Sequence, residues 1–169
     1  MTPDLCGDST LVDWAKRMSD GLRAAGVQQL IAWGGAGYLG EYGEDLRAIG
    51  AGGGVDLLTL HLYGSRVTVT GAERADAAIE AGEAALRERS AAAHALGMPL
   101  LLEEVNWKPA PDRDREAERA TVLSAWLERA VELGIGTLPW LIGEQGRTDY
   151  DGYLIRPDDA ITNEVLRCE

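Results

Sequence analysis

Two adjacent carboxylates, Glu103 and Glu104, close the apolar run Leu100-Leu101-Leu102 and lead into Val105-Asn106-Trp107. On a strand, alternation sends the two side chains to opposite faces, so only one of them looks into a site at the strand end. A carboxylate held there can attack the anomeric carbon of a sugar, and the covalent intermediate replaces one hard displacement with two easier ones. Taken alone, the pair reads more readily as two solvated strand-end acids. His61-Leu62-Tyr63 and Trp140 supply the other groups of interest: an imidazole, a phenol that donates a hydrogen bond, and a flat indole ring. Each also has a plain structural reading, as a satisfied strand-end imidazole, a packing phenol and a core indole after Pro139.

These side chains need a scaffold, and the apolar pattern describes one. Leu11, Ala15, Met18, Leu22 and Ala25 recur at helical spacing over residues 8–25, with Thr10 and Asp13 as an expected capping box and Gly26 as the stop. Leu30-Ile31-Ala32-Trp33 reads as a buried strand running into Gly34-Gly35-Ala36-Gly37, followed by a helix over 41–49 that Gly50 closes. Three further strands are expected at residues 55–60, 99–102 and 135–138. Between them lie helices over 73–96, with the stripe Ala75, Ile79, Leu86, Ala93 and Leu96, and over 114–133, with Ala120, Leu123, Leu127 and Val131. Pro157 is expected to open a last short helix through Ile161 and Val165.

Strands alternating with helices predict the α/β class with a parallel sheet, either doubly wound or barrel-like. Trp33, His61, Tyr63, Glu103, Glu104, Trp107 and Trp140 all fall at or just past the C-terminal ends of the expected strands. That is where barrel enzymes keep their active sites, and the placement favours a barrel. Gly34-Gly35-Ala36-Gly37 lacks the GxGxxG spacing and a following Lys-Ser/Thr, which argues against phosphate binding.

Composition narrows the partners. With 28 acidic against 16 basic side chains, the formal charge of −12 repels phosphate backbones and anionic lipid, so neither nucleic acid nor membrane is expected. The 169 residues suffice for a single domain, expected over 1–169. Cys6 and Cys168 form no metal-ligand pattern; a terminal disulfide and two free thiols both remain open. The start lacks a signal peptide's charged and apolar segments, so with Met1 as a true start a soluble, cytoplasmic protein is expected.

His61-x-Tyr63 after one strand, Glu103-Glu104 after the next and Trp140 after the last resemble the second half, strands five to eight, of the retaining (β/α)8-barrel glycoside hydrolases that include cellulases and β-mannanases, as in family 5. The order and approximate spacing agree over nearly the whole chain. The resemblance implies hydrolysis of O-glycosidic bonds in β-linked polysaccharide of mannan or cellulose type, without metal or other cofactor. It implies Glu104 as the nucleophile, Tyr63 as the group that orients it, His61 as a contact to the sugar or the acid side of the site, and Trp140 as the sugar platform. Trp33, Tyr38 and Trp107, on the same expected rim, would line outer sugar subsites.

A full barrel of this kind takes about 250 residues. In the resembled family the acid/base is the Glu of an Asn-Glu-Pro motif, and here Met1-Thr2-Pro3 occupies that place, with Thr2 at the acid/base position. Thr cannot protonate a leaving oxygen, and neither Asp4 nor Asp8 matches the motif. The expectation is a half-barrel carrying nucleophile and platform without the acid. Its open edges call for a cover, either a second copy or a complementary N-terminal half. Two other readings stand beside it: a non-catalytic carbohydrate-binding or assembly half-barrel, and an unrelated α/β protein whose rim aromatics bind a small molecule.

Overall fold

The computed structural model describes residues 8–64, 73–109 and 114–167. Along the chain run α1 (Asp8–Ala24), α2 (Leu46–Gly52), β1 (Leu58–Leu62), α3 (Arg74–Ala95), β2 (Leu100–Val105), α4 (Arg115–Glu132), β3 (Gly136–Pro139) and α5 (Ala160–Val165). The strands form one parallel sheet in the order β1-β2-β3, with a helix in each crossover. β1 is almost wholly buried, as a parallel strand covered on both faces should be, whereas β3 alternates exposed and half-buried residues. Among the described residues no helix is long and apolar enough to cross a membrane.

Three helix ends share one device. At Gly26, Gly97 and Gly134 the backbone turns left-handed, with φ of 90°, 66° and 68°. The following residue then donates back to a carbonyl five positions earlier, Val27 to Leu22, Met98 to Ala93 and Ile135 to Ala130, at 3.1, 3.0 and 2.9 Å. This satisfies orphan carbonyls at the helix end and redirects the chain, after Gly97 and Gly134 into β2 and β3.

The chain divides into two compact units: residues up to His61 with Arg87–Leu101, and Leu62–Leu86 with the residues from Leu102 onward. In the first, α1 lays Ala15 and Ser19 against the glycines after α2, and a Cβ on Gly53 would stand 3.2 Å from the Ala15 methyl. Small residues face small residues, so the expected stripe is turned, and Met18 and Leu22 point outward. Thr10 lies inside α1 rather than at its cap. The helix expected over 41–49 begins instead at Leu46, after Asp45 caps it by accepting from the Arg47 N–H at 2.9 Å. Gly50 therefore sits within a helix. A Cβ there would meet Leu96 Cδ1 at 2.7 Å, so close packing, not a stop, is its use.

The run Leu30–Trp33 does not form the expected buried strand. It keeps one parallel bridge, Ala32 to Leu57, and Leu30 is 73% exposed. Its only described ladder partner is the segment before β1, and pairing on one side leaves its other side chains uncovered.

In the second unit, α4 buries Val122, Leu123, Trp126 and Ala130, one position off the expected Leu127 and Val131, the latter exposed. The Trp126 indole decides this register. Its Nε1–H donates to the Ala78 carbonyl at 3.1 Å, and its ring fills the space that a Cβ on Gly82 would take. The last helix starts at Ala160, with Ile161 exposed and Thr162 buried.

Candidate active site

Glu104 lies at the penultimate position of β2, and Tyr63 directly follows β1. The phenol of Tyr63 donates to Glu104 Oε2 at 2.5 Å. Burial, followed by this hydrogen bond and the charge of Glu104, pushes the Tyr63 hydroxyl well above the ordinary phenol value, with smaller contributions from Tyr153 and Asp151. The phenol therefore stays a donor at neutral pH. A fixed neutral donor on one oxygen orients the carboxylate without neutralising it, which is what a nucleophile at a strand end requires.

A second phenol supports the first. Tyr153 packs its ring against Tyr63 edge to face, with centroids 5.1 Å apart. Its own hydroxyl is raised by burial and by Asp151, with Arg74 opposing. The stem of Lys108 lies where a Cβ on Gly152 would stand, and its ammonium is 6.0 Å from the Tyr153 ring centre.

Trp140 follows β3 and is 39% exposed, with its N–H donating to the Val105 carbonyl at 3.0 Å. The indole is thus anchored by its backbone to the residue after Glu104. The Trp140–Leu141 peptide is cis. The Trp140 carbonyl accepts from the side-chain amide of Asn106, a fully buried residue that also donates to the Tyr153 carbonyl at 2.6 Å. Buried Arg119 holds the same loop through the carbonyls of Gly152 and Leu154, both at 3.0 Å.

Trp107 is not on a rim. It is 1% exposed, crosses Trp126 at 89° with centroids 6.0 Å apart, carries the Arg74 guanidinium 4.0 Å above its ring and donates its indole N–H to Glu118 at 3.0 Å. Enclosed on all these sides, it cannot line a sugar subsite, and that expectation is corrected. Trp107 is core.

Trp33 and His61 belong to the first unit. The Trp33 indole N–H donates to Glu44 Oε1 at 2.9 Å, and the ring meets Trp14 edge to face at 6.1 Å. His61 is half-buried in β1, its backbone N–H bonded to the Ala36 carbonyl at 3.1 Å. Tyr38 pairs with Tyr42, ring centres 4.8 Å apart. The glycine-rich loop is a cradle for a carboxylate of the chain itself. Gly37 donates its N–H to Glu44 Oε1 at 2.9 Å, and a Cβ on Gly35 would collide with both Trp33 and Glu44. The backbone donor that a phosphate would want is already engaged by Glu44.

Sequence reasoning missed Asn106, Tyr153 and Glu44. Asn106 stands two positions after Glu104, a signal that was available; Tyr153 and Glu44 lie in segments with no motif and acquire partners only through folding. Thr2, Pro3, Asp4, Cys6 and Cys168 lie outside the described residues, as does the side chain of Asp8. Among the described residues no cluster of three or more His, Cys, Asp or Glu could hold a metal ion.

No protein-family model matches the chain. The mannan endo-1,4-β-mannosidase A of Podospora anserina is 27% identical over 168 residues, covering 89% of this chain and 40% of its own length. An endo-β-1,4-mannanase structure from Thermotoga petrophila superposes with a TM-score of 0.78 at 25% identity, over 94% of this chain and 39% of that one. A second Thermotoga petrophila endo-1,4-β-D-mannanase structure, with maltose and glycerol, gives 0.76 at 26% identity, over 94% and 50%. An endo-1,4-β-mannanase from Rhizomucor miehei, at 20% identity and a TM-score of 0.67, shares the fold. The chain thus spans half or less of the length of the mannanases it matches. It resembles the family 5 glycoside hydrolases, and its α/β architecture is that of a partial (β/α)8 barrel.

Proposed function

We propose that this chain, similar as it is to family 5 mannanases, carries the nucleophile side of a retaining β-glycosidase site for β-linked polysaccharide of mannan or cellulose type. Glu104 is the nucleophile, Tyr63 orients it and Trp140 is the platform for the sugar ring. The observation that carries this reading is the 2.5 Å hydrogen bond from the Tyr63 phenol to Glu104 at a strand end. In a retaining reaction one oxygen of Glu104 attacks the anomeric carbon, the bond to the leaving oxygen breaks, and water later releases the sugar. A second carboxyl group about 5–5.5 Å away protonates the leaving oxygen and then activates the water.

The test isolates the first of these steps. With 2-deoxy-2-fluoro-β-mannosyl fluoride, Glu104 displaces fluoride, a leaving group that needs no proton, so the acid is dispensable. The 2-fluoro substituent slows release, and the ester accumulates. Peptide mass spectrometry should find the sugar on Glu104. An adduct on another residue, or binding of mannan oligosaccharide with no adduct at all, would overturn the assignment, the latter in favour of a carbohydrate-binding role.

Two exposed apolar faces bear on partners. One is Trp14, Met18 and Leu22 on α1 in the first unit; the other is Leu138 on β3 with Ile142 just after it in the second. We propose that each is covered by further strand-helix units of the same barrel type, in keeping with relatives of which this chain covers half or less. Sedimentation should show the chain by itself associating with concentration, and a clean monomer throughout would count against it.

A further inference from the structure

Asn106, two positions after Glu104, is a heavily engaged side chain that the proposed reaction does not use. It is fully buried, and both ends of its side-chain amide and its backbone N–H have partners. Its Oδ1 accepts from the Trp107 N–H at 2.7 Å, its backbone N–H donates to the Leu62 carbonyl at 3.1 Å, and its Nδ2 donates to the carbonyls of both Trp140 and Tyr153. Those two carbonyls stand at the two ends of the loop after β3. One end presents the Trp140 indole, and the other sets the Tyr153 ring against Tyr63, which holds Glu104.

Resting on the reading of Glu104 as nucleophile, we infer that Asn106 is a positioning residue that fixes the sugar platform and the nucleophile's phenol relative to each other through opposite ends of one loop. The physical reason lies in its amide. Two carbonyl oxygens repel, and a single NH2 group between them supplies the two donors that let both approach the same point. A buried amide is costly to desolvate unless all its groups are met, and here they are. Asp has the same shape and keeps an acceptor for the Trp107 N–H, but it turns the second position from two donors into an acceptor. Loop and amide would then repel.

Labelling kinetics with the fluoro-mannosyl fluoride separate this role from simple scaffolding. The dependence on reagent concentration yields a half-saturating concentration, which reports the platform, and a limiting rate, which reports the nucleophile. Loss of folded protein lowers only the fraction labelled and moves neither quantity in the molecules that remain folded. Asn106→Asp should raise the half-saturating concentration about tenfold or more, the scale of one or two lost hydrogen bonds, and should lower the limiting rate as well. A smaller labelled fraction with both quantities unchanged would overturn the inference.

Should Asn106→Asp fail to fold, Tyr153→Leu tests the phenol arm, because it leaves the amide-to-backbone bonds in place. The limiting rate should fall about tenfold at an unchanged half-saturating concentration. An unchanged limiting rate would overturn the inference. If the unmodified chain is not labelled on Glu104 at all, it is the nucleophile reading that has failed, so the two failures are distinct.

Discussion

Tyr63 and Glu104 stand 41 positions apart in the sequence, and the phenol of one donates to the carboxylate of the other at 2.5 Å. Two neighbouring parallel strands bring them together, Tyr63 just past β1 and Glu104 near the end of β2. The Tyr153 ring backs the phenol, so the donor has little freedom to swing away.

Glu104→Gln should abolish labelling by the fluoro-mannosyl fluoride, a loss of about a thousandfold or more, because an amide has no charge with which to displace fluoride. Tyr63→Phe should lower the limiting labelling rate about 10- to 100-fold, the kinetic equivalent of one hydrogen bond to a charged group. Thermal melting of both variants, run in parallel, separates misfolding from lost chemistry.

The two linked phenols predict how stability responds to alkali. Burial and the Glu104 hydrogen bond raise the Tyr63 hydroxyl above its ordinary value of 10.0, and burial and Asp151 raise that of Tyr153. The folded state therefore holds these protons more tightly than the unfolded chain does. Their contribution is complete below pH 10.0 and is lost progressively as pH rises above it toward the folded-state values. The melting temperature should fall over that range, and Tyr63→Phe should flatten the fall. In a tyrosinate absorbance titration, the same substitution should remove signal from the late part of the curve.

Trp107 and Trp140 should respond in opposite ways to truncation. Trp107→Ala empties a site that is 1% exposed and should cost about 3–5 kcal/mol in denaturant unfolding. Trp140→Ala removes a ring that is 39% exposed and should cost far less stability while weakening the binding of mannan oligosaccharide. Equal stability losses would mean that the two rings had been assigned wrongly.

Glu44 should prove to be a structural carboxylate. It accepts from the Trp33 indole and the Gly37 N–H, so Glu44→Ala leaves buried donors unmatched and should destabilise the chain by about 1–3 kcal/mol. Glu44→Gln keeps an acceptor oxygen and should cost less. Added phosphate should leave the melting temperature unchanged, because that carboxylate already occupies the Gly37 N–H.

The alternation of apolar runs and amphipathic stripes made the α/β class and the positions of three strands legible, because strand and helix periods are local properties of the chain. Gly26 and Gly134 likewise announced helix ends, since a left-handed residue is required there whatever lies beyond. Sequence alone placed Glu104, Tyr63 and Trp140 at strand ends. It could not decide which aromatics face outward: Trp107 and Trp140 look alike in sequence, and only the crossing of Trp107 by Trp126 and the cover of Arg74 make one of them core. Helix faces were misplaced for the same reason. Met18 and Val131 fit an apolar stripe, yet the glycines after α2 and the Trp126 indole set which side of each helix is buried. Tertiary structure likewise decided that the Gly34–Gly37 loop holds Glu44, and that Asn106 joins Trp140 to Tyr153. The Asn106 contacts join segments 34 and 47 positions apart, and a hydrogen bond of that kind acquires its partner only when packing delivers it.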